Sequence, residues 1–424
     1  MKVVILTYYW PPSGGSGVQR WLKFVKYLHE FGIEAIVYTV ANPKYSITDT
    51  SLVNEIPNAV KVLKQPIWEP NNLLHRFGKQ KTKESAGFLN PNPSVLGKLL
   101  QYIRANYFIP DARKFWVKPS VAFLKKYLRQ NPVDAIITSG PPHSLHLIGL
   151  ALKKELGVHW IADFRDPWTE IDYFEQLPLT KRARKVHGAL EKEVLEKSDA
   201  VLVVGKTMKM KFEQFSSSIH VLTNGFDTKE LSKEILLDTK FTITHVGLMN
   251  ADRNPHVLWS ALKEIADENP SFAVDYEVQL VGKIATQVKE SINDLQLQNV
   301  REIGYLPHEE VKVYQSRSQV LLLAVNNVPS AKGILTGKIF EYLQAKRPIV
   351  AIGPSDGDLA EIITETNAGV LVDFDDVAAI KTQLLKMYAA FKGEGLYVNS
   401  KNIEQYHRKN ITKKLSQIIQ NTIS

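Results

Sequence analysis

Residues 333–353 read GILTGKIFEYLQAKRPIVAIG and combine a flexible loop, a helix and a strand in one short stretch. The glycine-spaced loop leads into a helical segment with Lys338 and Glu341 on one face, since residues three apart are neighbours on a helix surface. The helix breaks at Lys346-Arg347-Pro348, and an apolar strand follows. A carboxylate one turn inside such a helix is either a solvated surface charge or a ligand, and the rest of the chain has to separate the two.

The length and composition predict a soluble protein of two domains. A chain of 424 residues is too long for one ordinary core, and 44% hydrophobic with 23% charged residues is typical of globular proteins. The absence of cysteine excludes a disulfide scaffold, a thiolate metal site and a cysteine nucleophile, and it fits a reducing compartment. The first residues, MKVVILTYYWPP, lack the long apolar region of a signal peptide, and no run of about 18 apolar residues exists, so we expect a cytoplasmic protein.

The positive charge is concentrated in one segment. The chain has a formal net charge of +9, from 53 Lys and Arg against 44 Asp and Glu. Residues 61–130 contain 14 Lys and Arg but 3 acidic residues, so this segment alone carries +11. A basic excess confined to one segment favours a local anionic partner over a generally basic protein.

Apolar runs alternate with helical patterns along most of the chain. KVVILTYY, IEAIVYTV, DAIITSG, HWIADF and AVLVVG read as buried strands in the first half, and FTITHVG, YEVQLVG, QVLLLAV and RPIVAIG in the second. Such runs predict parallel strands with crossover helices, and hence two doubly wound α/β domains. Residues 228–240 are polar and predict a linker, while residues 66–130 interrupt the alternation as an insertion with two helices.

The glycine-rich loop PPSGGSGVQRW (residues 11–21) follows the first strand, where ligands bind in such sheets. Gly15 and Gly17 suit either a tight turn or the close approach of a ligand to a helix N-terminus. Their spacing does not match the dinucleotide-binding fingerprint, which disfavours a dehydrogenase.

Polar residues also follow two later strands of the first half. His143 comes after a double proline at a strand-to-helix turn, where it could bind a sugar hydroxyl or phosphate, or could cap and pack against the helix. Asp163, Arg165 and Asp166 gather at the end of the strand in IADFRDPW. Charges at such a place are costly unless paired or used, so they predict either a substrate site or an internal Arg165–Asp166 pair.

The second half repeats the pattern of a strand followed by a glycine turn. Gly247 ends the strand in HVGLMNADRNP, and Arg253 in the same loop could hold a phosphate bidentately or remain a solvated charge. Gly282 ends the next strand, YEVQLVG. Each loop alone is a weak signal, and their order along the chain is more informative.

That order resembles a GT-B glycosyltransferase of the family 4 type. A glycine-rich first turn, a strand-turn histidine, an Asn-Gly turn with an aspartate two residues on, and a glycine turn with a cation succeed one another in that family. KIFEYLQAKRPIVA (residues 338–351) closely fits its nucleotide-binding helix motif, and the resemblance covers most of residues 1–20 and 133–375. It implies two Rossmann-like domains with a cleft between them: an acceptor-side domain over 1–227, the linker over 228–240, a nucleotide-sugar domain over 241–395, and a helical tail over 396–424 that crosses back to the first domain.

The resemblance also implies roles for the opening stretch. In that family the helix glutamate accepts hydrogen bonds from the ribose hydroxyls, so Glu341 is the expected ribose ligand, since a carboxylate can accept from both hydroxyls of a diol. The preceding loop and the helix N-terminus bind the diphosphate. The residues expected to bind the nucleotide sugar are Gly15, Gly17, Gly247, Arg253, Gly282, Gly333, Ile334, Leu335, Thr336, Gly337, Lys338 and Glu341.

Two positions depart from the family pattern. Gly333 stands where the family often has a second glutamate near the donor sugar, so backbone groups of residues 333–335 are expected to contact the sugar instead. Leu248 and Arg253 stand where the family has an arginine and a lysine that bind the diphosphate. One cation is therefore kept, as a guanidinium.

The activity implied by the resemblance is transfer of a sugar, with retention, from a nucleoside-diphosphate sugar to a saccharide or lipid-linked saccharide in cell-surface polysaccharide synthesis. Arg253, Lys338 and the glycine loops would neutralise the leaving diphosphate, so no cofactor and no obligatory metal are expected. His143, Asp163, Arg165 and Asp166 are the expected catalytic residues on the acceptor side. The competing interpretations are a sugar-nucleotide epimerase with the same fold and a non-catalytic subunit that binds nucleotide sugars.

The basic segment suggests where the acceptor lies. Between residues 98 and 129, aromatic and basic side chains interleave, which suits an anionic membrane face on the inner side of the cytoplasmic membrane. The alternative is a helical pair whose aromatic residues pack on the first domain. Nucleic acid is not expected, because no known binding module is present. The interleaved residues are Tyr107, Phe108, Phe115, Trp116 and Phe123 with Arg104, Arg113, Lys114, Lys118, Lys125 and Lys126.

Overall fold

The computed structural model describes residues 1–69, 94–171, 174–227 and 235–424. Contacts divide the chain into two compact units, Met1–Thr223 with Arg408–Ser424, and Asn224–His407. The chain thus leaves the first unit at Thr223, earlier than the expected boundary at residue 227, and the first part of the expected tail, residues 396–407, belongs to the second unit. Residues 70–93 of the insertion and 228–234 of the expected linker lie outside the described residues.

The first unit contains a parallel sheet of seven strands in the order β3-β2-β1-β4-β5-β6-β7. Its strands are β1 (Lys2–Leu6), β2 (Glu34–Val40), β3 (Lys61–Gln65), β4 (Ala135–Gly140), β5 (His159–Phe164), β6 (Ala200–Val203) and β7 (Ile219–Val221). Its helices up to that point are α1 (Ser16–Leu28), α2 (Val95–Tyr107), α3 (Lys114–Gln130), α4 (Ser144–Leu156), α5 (Lys181–Lys197) and α6 (Lys206–Phe212). All side chains of β4 are buried, because helices cover both faces of a parallel sheet.

The second unit contains a parallel sheet of six strands in the order β10-β9-β8-β11-β12-β13. Its strands are β8 (Phe241–Val246), β9 (Tyr276–Val281), β10 (Val300–Gly304), β11 (Val320–Ala324), β12 (Ile349–Ile352) and β13 (Gly369–Val372). Its helices are α7 (His256–Glu268), α8 (Pro270–Asp275), α9 (Thr286–Asp294), α10 (His308–Arg317), α11 (Lys338–Ala345), α12 (Asp358–Thr366) and α13 (Val377–Lys392). The prediction of two doubly wound α/β sheets is confirmed.

Each sheet has one place where the strand order reverses. In the first unit it lies between β1 and β4, and in the second between β8 and β11. Ligands of open α/β sheets bind outside the carboxyl ends of the strands at such a point. The loops after these four strands contain Gly15 and Gly17, His143, Gly247, and the segment that leads into α11, respectively.

A last helix, α14 (Arg408–Ile423), packs in the first unit. Ile411, Leu415 and Ile419, spaced four residues apart, are buried in the same hydrophobic cluster as Leu22 of α1. Lys409 adds an ion pair to Glu30 at 2.6 Å. The helix at the end of the chain therefore completes the core of the first unit, whose sheet comes from residues 2–221.

The two helices of the insertion differ in burial. In α3, Trp116 is fully buried and stacks on Tyr38 with ring centroids 5.2 Å apart, and Phe123 packs beside the same tyrosine. Trp116 therefore belongs to the core, as in the alternative of a packed helical pair, and Phe123 is half-buried against that core. In α2, by contrast, no side chain is buried. Among the residues that the structure describes, no helix is both long and apolar enough to cross a bilayer.

Candidate functional site

Helix α11 is held to the second sheet by one apolar face. This face consists of the buried residues Ile339, Phe340, Tyr342 and Leu343. The opposite face of the first turn points toward the carboxyl ends of β8 and β11. The helix ends where Lys346 adopts a left-handed conformation with φ of 52°. Pro348, two residues later, could not continue the helix because it has no N–H to donate.

Lys338 lies at the start of α11 and reaches back to the end of β8. Its Nζ is 3.2 Å from His245 Nε2 and 3.4 Å from the Leu248 carbonyl oxygen. Burial lowers the pKa of Lys338 well below its usual value, and the neighbouring Arg253 lowers it further, while Glu341 acts in the opposite direction. The positive charge of a half-buried amine beside a second cation is destabilised unless an anion lies close to it.

Arg253 converges on the same oxygen as Lys338. Its Nη1 donates to the Leu248 carbonyl oxygen at 3.0 Å, so a guanidinium and an amine meet at one backbone acceptor. Leu248, which replaces the family's arginine, therefore contributes its carbonyl oxygen. The second sheet thus brings two nitrogen side chains together just beyond β8.

Two glycine turns make room beside these cations. Gly247 has φ of +96°, and a Cβ there would lie 2.8 Å from Lys338 Cε. Gly282 after β9 has φ of +133°, and a Cβ there would lie 2.4 Å from the Gly247 carbonyl oxygen. Positive φ and close contact together require glycine at both positions.

Glu341 lies in the first turn of α11, three residues after Lys338, and is half-buried. Its Oε2 accepts a hydrogen bond from Gln315 Nε2 of α10 at 3.0 Å. Its other oxygen, Oε1, has no protein donor in the described part of the chain. One carboxylate oxygen is therefore fixed by the protein, and the other has no donor among the described residues.

The loop before α11 uses some of its backbone donors internally. Residues Ala331–Gly333 form a short 3-10 turn, and the N–H groups of Gly333 and Ile334 donate to the carbonyls of Ser330 and Ala331, each at 3.1 Å. Those two N–H groups are thus engaged, in contrast to the expectation that residues 333–335 offer their backbone to the sugar.

The end of the same loop offers more. The N–H groups of Leu335, Thr336 and Gly337 have no backbone acceptor among the residues described, and the Thr336 hydroxyl is buried without a partner there. Gly337 is exposed at the N-cap of α11. Unengaged N–H groups at a helix N-terminus attract anions.

In the first unit, the glycine loop after β1 is tied to the end of β5. Gly15 has φ of +81° at the start of α1, and the Gly17 carbonyl accepts from Arg165 Nη1 at 2.7 Å. A Cβ on Gly17 would lie 3.1 Å from the same nitrogen. Gly17 thus allows an arginine to hold the loop.

Asp163 is completely buried and fully engaged. Its carboxylate accepts from Arg20 Nη2 at 2.8 Å, from Trp21 Nε1 at 2.8 Å and from Ser139 Oγ at 2.8 Å. These partners join β5 to α1 and β4. Asp163 therefore holds the fold and does not face an acceptor, in contrast to its expected place on the acceptor side.

Arg165 also has its donors engaged by the protein. Besides Gly17, its guanidinium donates to the carbonyls of Gly140 and Pro141 and lies over the Tyr9 ring at 5.6 Å. Burial lowers the pKa of Arg165, while Asp166 and Asp163 favour its charged form. Arg165 thus joins the two loops at the reversal point, and Asp166 is the exposed member of the charged group.

His143 lies in an aromatic stack at the start of α4. Its ring is 5.0 Å from that of Trp168 and nearly parallel to it, and its Nδ1 is buried without a partner among the described residues. Burial lowers the pKa of His143 well below its usual value, and His146, Arg165 and His187 act in the same direction. A neutral imidazole can exchange hydrogen bonds with a hydroxyl but carries no charge for a phosphate.

Three residues that the sequence did not single out shape these sites. His245 contacts Lys338, Gln315 fixes Glu341, and Arg20 pairs with Asp163. His245 had a weak signal, because it is a titratable residue in a buried strand, two positions before a glycine turn. The other two lie on helix faces whose orientation depends on tertiary packing.

Family models match both halves of the chain. Residues 240–390 match the model described as Glycosyl transferases group 1, and residues 85–230 match the model described as Glycosyltransferase Family 4. Together the two models span most of the chain. The comparison with curated proteins finds no match.

Solved structures of similar fold include three glycosyltransferases or synthases. Sucrose-phosphate synthase from Thermosynechococcus elongatus is 14% identical with a TM-score of 0.59, covering 100% of this chain and 95% of its own. WaaG, a glycosyltransferase involved in lipopolysaccharide biosynthesis, is 12% identical with a TM-score of 0.54, covering 98% and 99%. S. aureus TarM, in a complex that contains UDP, is 12% identical with a TM-score of 0.58, covering 99% of both chains. At these identities the likeness concerns the fold.

Proposed function

The chain is a family 4-like glycosyltransferase with the GT-B fold, and on this basis we propose that it transfers a sugar, with retention, from a nucleoside-diphosphate sugar bound by the second unit. The acceptor we propose is a saccharide or lipid-linked saccharide in cell-surface polysaccharide synthesis. Support for this acceptor comes from the basic α2–α3 segment and from the fold shared with WaaG, which is involved in lipopolysaccharide biosynthesis.

The proposal for the donor depends on the convergence of Lys338 and Arg253 on the Leu248 carbonyl oxygen. A guanidinium and an amine at the carboxyl end of a strand, beside two glycine turns and the N-terminus of α11, suit a diphosphate leaving group. Glu341 on the same helix, with one oxygen fixed by Gln315, would accept from the ribose hydroxyls. We expect this cluster to stabilise the negative charge that develops on the leaving diphosphate without an obligatory metal.

The test is binding and slow hydrolysis of UDP-, GDP- and dTDP-sugars by the wild-type protein and by Glu341→Ala. A hydrogen bond to a charged group contributes about 1.5–3 kcal/mol, so we expect roughly 10–100-fold weaker binding of the preferred nucleotide by Glu341→Ala. UDP-sugars are the first to try, because UDP is the nucleotide named in the TarM complex.

Glu290→Ala is the matched control, since Glu290 is an exposed glutamate on α9 of the same unit. It should bind and hydrolyse the donor as the wild type does. Binding that is equally strong in Glu341→Ala would contradict the ribose assignment, and no binding of any sugar nucleotide would contradict the proposed function.

On the acceptor side we propose that His143 and Asp166 face the substrate. His143 is expected to exchange a hydrogen bond with a sugar hydroxyl through its buried Nδ1, because that atom has no partner in the described structure. Asp163 and Arg165 would act only through the loops that they hold. His143→Phe keeps the aromatic stack and should lower turnover with acceptor more than donor binding in the second unit.

For the membrane surface we propose helix α2. Residues with large exposed fractions follow one another at helical spacing: Val95 at 87%, Leu99 at 54%, Ile103 at 37% and Tyr107 at 67%. Lys98 and Arg104 flank this stripe, and neither α2 nor α3 contains an acidic residue. An apolar stripe between cations suits the headgroup region of an anionic bilayer, where each well-placed cation contributes about 1 kcal/mol.

Vesicle co-sedimentation tests the membrane proposal. We expect binding to vesicles with anionic lipid, weaker binding at high salt, and loss of binding in a Leu99→Asp/Ile103→Asp double variant. The control is Val274→Asp, which changes an exposed valine of the second unit and should leave vesicle binding unchanged. Equal binding to neutral vesicles, or unchanged binding of the double variant, would contradict this surface.

A further inference from the structure

His245 is a fully buried histidine whose two ring nitrogens have different partners. Nδ1 lies 3.2 Å from the Leu322 carbonyl oxygen, which can only accept, so this nitrogen carries the proton. Nε2 therefore presents its lone pair to Lys338 Nζ at 3.2 Å. The neutral tautomer is fixed by β11, and it makes His245 an acceptor for the lysine.

Lys338 is held by neutral acceptors. Its hydrogen-bond partners are the imidazole of His245 and the carbonyl of Leu248, and no carboxylate pairs with it within the described ranges. Both acceptors accommodate an uncharged amine, since neither brings a negative charge. The Leu248 carbonyl is in addition shared with the guanidinium of Arg253, which repels a second positive charge.

The charged and titratable groups around Lys338 come from several elements. His245 lies on β8, Arg253 on the loop after it, and Glu341 and Tyr342 on α11, while Lys283 is exposed on the loop after β9. Glu341 is the acidic member, and it is hydrogen-bonded to Gln315. The balance of charge near the amine is therefore positive.

We propose that His245 is a positioning residue that holds Lys338 as a neutral amine in the empty site, and that a bound diphosphate draws one proton from solution onto Lys338. This inference rests on the proposed function, because it concerns the same diphosphate site. Proton uptake at the moment of binding places the new positive charge where the leaving group becomes negative. The site thus gains affinity for a diphosphate without keeping an unpaired buried charge when it is empty.

The electrostatic surroundings of Lys338 support a neutral amine in the empty site. Burial lowers the pKa of both Lys338 and His245 well below their usual values, and each cation nearby acts in the same direction. Glu341 opposes the shift in the pKa of Lys338, and the backbone of Leu322 and Leu248 opposes the shift in the pKa of His245. A dianionic ligand beside Nζ reverses the effect on Lys338 and raises its pKa. At a pH between the pKa of Lys338 in the empty site and its pKa in the complex, the complex therefore holds one proton more than the free protein and the free ligand together.

The experiment is isothermal titration calorimetry of UDP, GDP and dTDP at pH 8, in buffers with different ionisation enthalpies. At this pH the free nucleotide phosphates are already ionised, since their second pKa is about 6. We expect the nucleotide that binds best to take up close to one proton, and its dissociation constant to rise up to about tenfold per pH unit through the uptake range.

Three variants assign the proton. Lys338→Met should abolish proton uptake, and so should His245→Phe, because the amine loses its acceptor and can move to water as a cation. His245→Gln supplies an amide oxygen near the position of Nε2 and should restore the uptake. A merely structural role of His245 would alter thermal stability in both of its variants but would leave the number of protons unchanged.

The outcomes separate the inference from the proposed function. Binding of a nucleoside diphosphate without proton uptake by the wild type overturns the inference and leaves the function standing. Uptake that persists in Lys338→Met assigns the proton to another group and also overturns it. No binding of any of the three nucleotides overturns the proposed function and the inference together.

Discussion

At the scale of single residues, the position of one glycine determines where a cation can lie. Gly247 combines positive φ with a Cβ position 2.8 Å from Lys338 Cε, so a side chain there costs backbone strain and also displaces the lysine. Gly304 at the end of β10 has φ of +80° with open space around it. A side chain at Gly304 would therefore cause backbone strain alone, whereas a side chain at Gly247 would cause backbone strain and contact Lys338.

We expect Gly247→Ala and Gly304→Ala to lose similar stability, about 1–2 kcal/mol each for left-handed backbone, but to differ in ligand binding. Gly247→Ala should weaken nucleoside diphosphate binding by roughly 10–100-fold, the loss of one charged hydrogen bond. Thermal unfolding and calorimetric titration of both variants measure the two effects. Equal affinity in the two variants would show that Lys338 does not depend on Gly247.

The sequence predicted some residues of this cluster better than others. Lys338 and Glu341 follow from helical spacing after a glycine loop, and the structure places both on the first turn of α11. His245 could not be identified in the same way, because only the fold shows that β8 ends against α11. The burial of Asp163 could not be predicted from the sequence, since its partner Arg20 lies 143 residues away and no local pattern reveals the pair.

At the scale of secondary structure elements, a buried ion pair attaches α1 to the sheet. Arg20 and Asp163 have side chains 2% and 0% exposed, and Trp21 donates to the same carboxylate. Removing one member of such a pair leaves the other charge buried without compensation. The position of α1, and with it the glycine loop, depends on this contact.

We expect Asp163→Asn to destabilise the first unit by about 3–5 kcal/mol, measured as a shift in the urea unfolding midpoint. Glu213→Gln is the control, because its pair with Lys209 at 3.7 Å is exposed and should contribute less than about 1 kcal/mol. In a double-mutant cycle, Arg20→Met should cost much less in the Asp163→Asn background than alone. Simple additivity would show that the pair is not coupled.

A second prediction at this scale concerns α14. Leu415 is completely buried in the cluster that contains Leu22 of α1. Leu415→Ala should cost about 2–5 kcal/mol through lost burial and the remaining cavity. Hydrogen exchange should show faster opening in the first unit and unchanged protection in β8 and β11. Equal loosening of both units would contradict the division at residues 223 and 408.

At the scale of the whole molecule, buried histidines make stability depend on pH. Burial lowers the pKa of His146 to about 3 and the pKa of His143 and His245 well below the usual value. The unfolded chain binds protons at these residues below about pH 6.5, while the native protein does not, so the unfolded state holds more protons. Stability therefore falls as the pH drops below about 6.5, until the native pKa values are reached.

We expect the free energy of unfolding to decrease by about 1.4 kcal/mol per pH unit for each such histidine between pH 6.5 and 5. Urea titrations across this range measure the slope. His146→Leu, which keeps an apolar group against Phe164, should remove one histidine's share of it. An unchanged slope in this variant would show that His146 is not the residue that titrates.

The fold as a whole was more predictable than the insertion. Runs of four to seven apolar residues separated by helices imply parallel sheets, because few other arrangements bury such strands on both faces. The interleaved aromatic and basic residues of the insertion had two meanings, a membrane face or a core. Trp116 is buried in the core, where it stacks on Tyr38, while Leu99 is exposed. The composition of the insertion alone does not predict which of its apolar residues is buried.

The return of α14 to the first unit also has a consequence during synthesis. The ribosome releases residues 1–223 first, but the side chains of Ile411, Leu415 and Ile419 that complete their core arrive only after residues 224–407. The second unit is continuous in sequence and can therefore fold on the ribosome, while residues 1–223 still lack the helix that completes their core. We therefore expect the second unit to complete its core before the first unit does, because the first unit lacks α14 until synthesis ends.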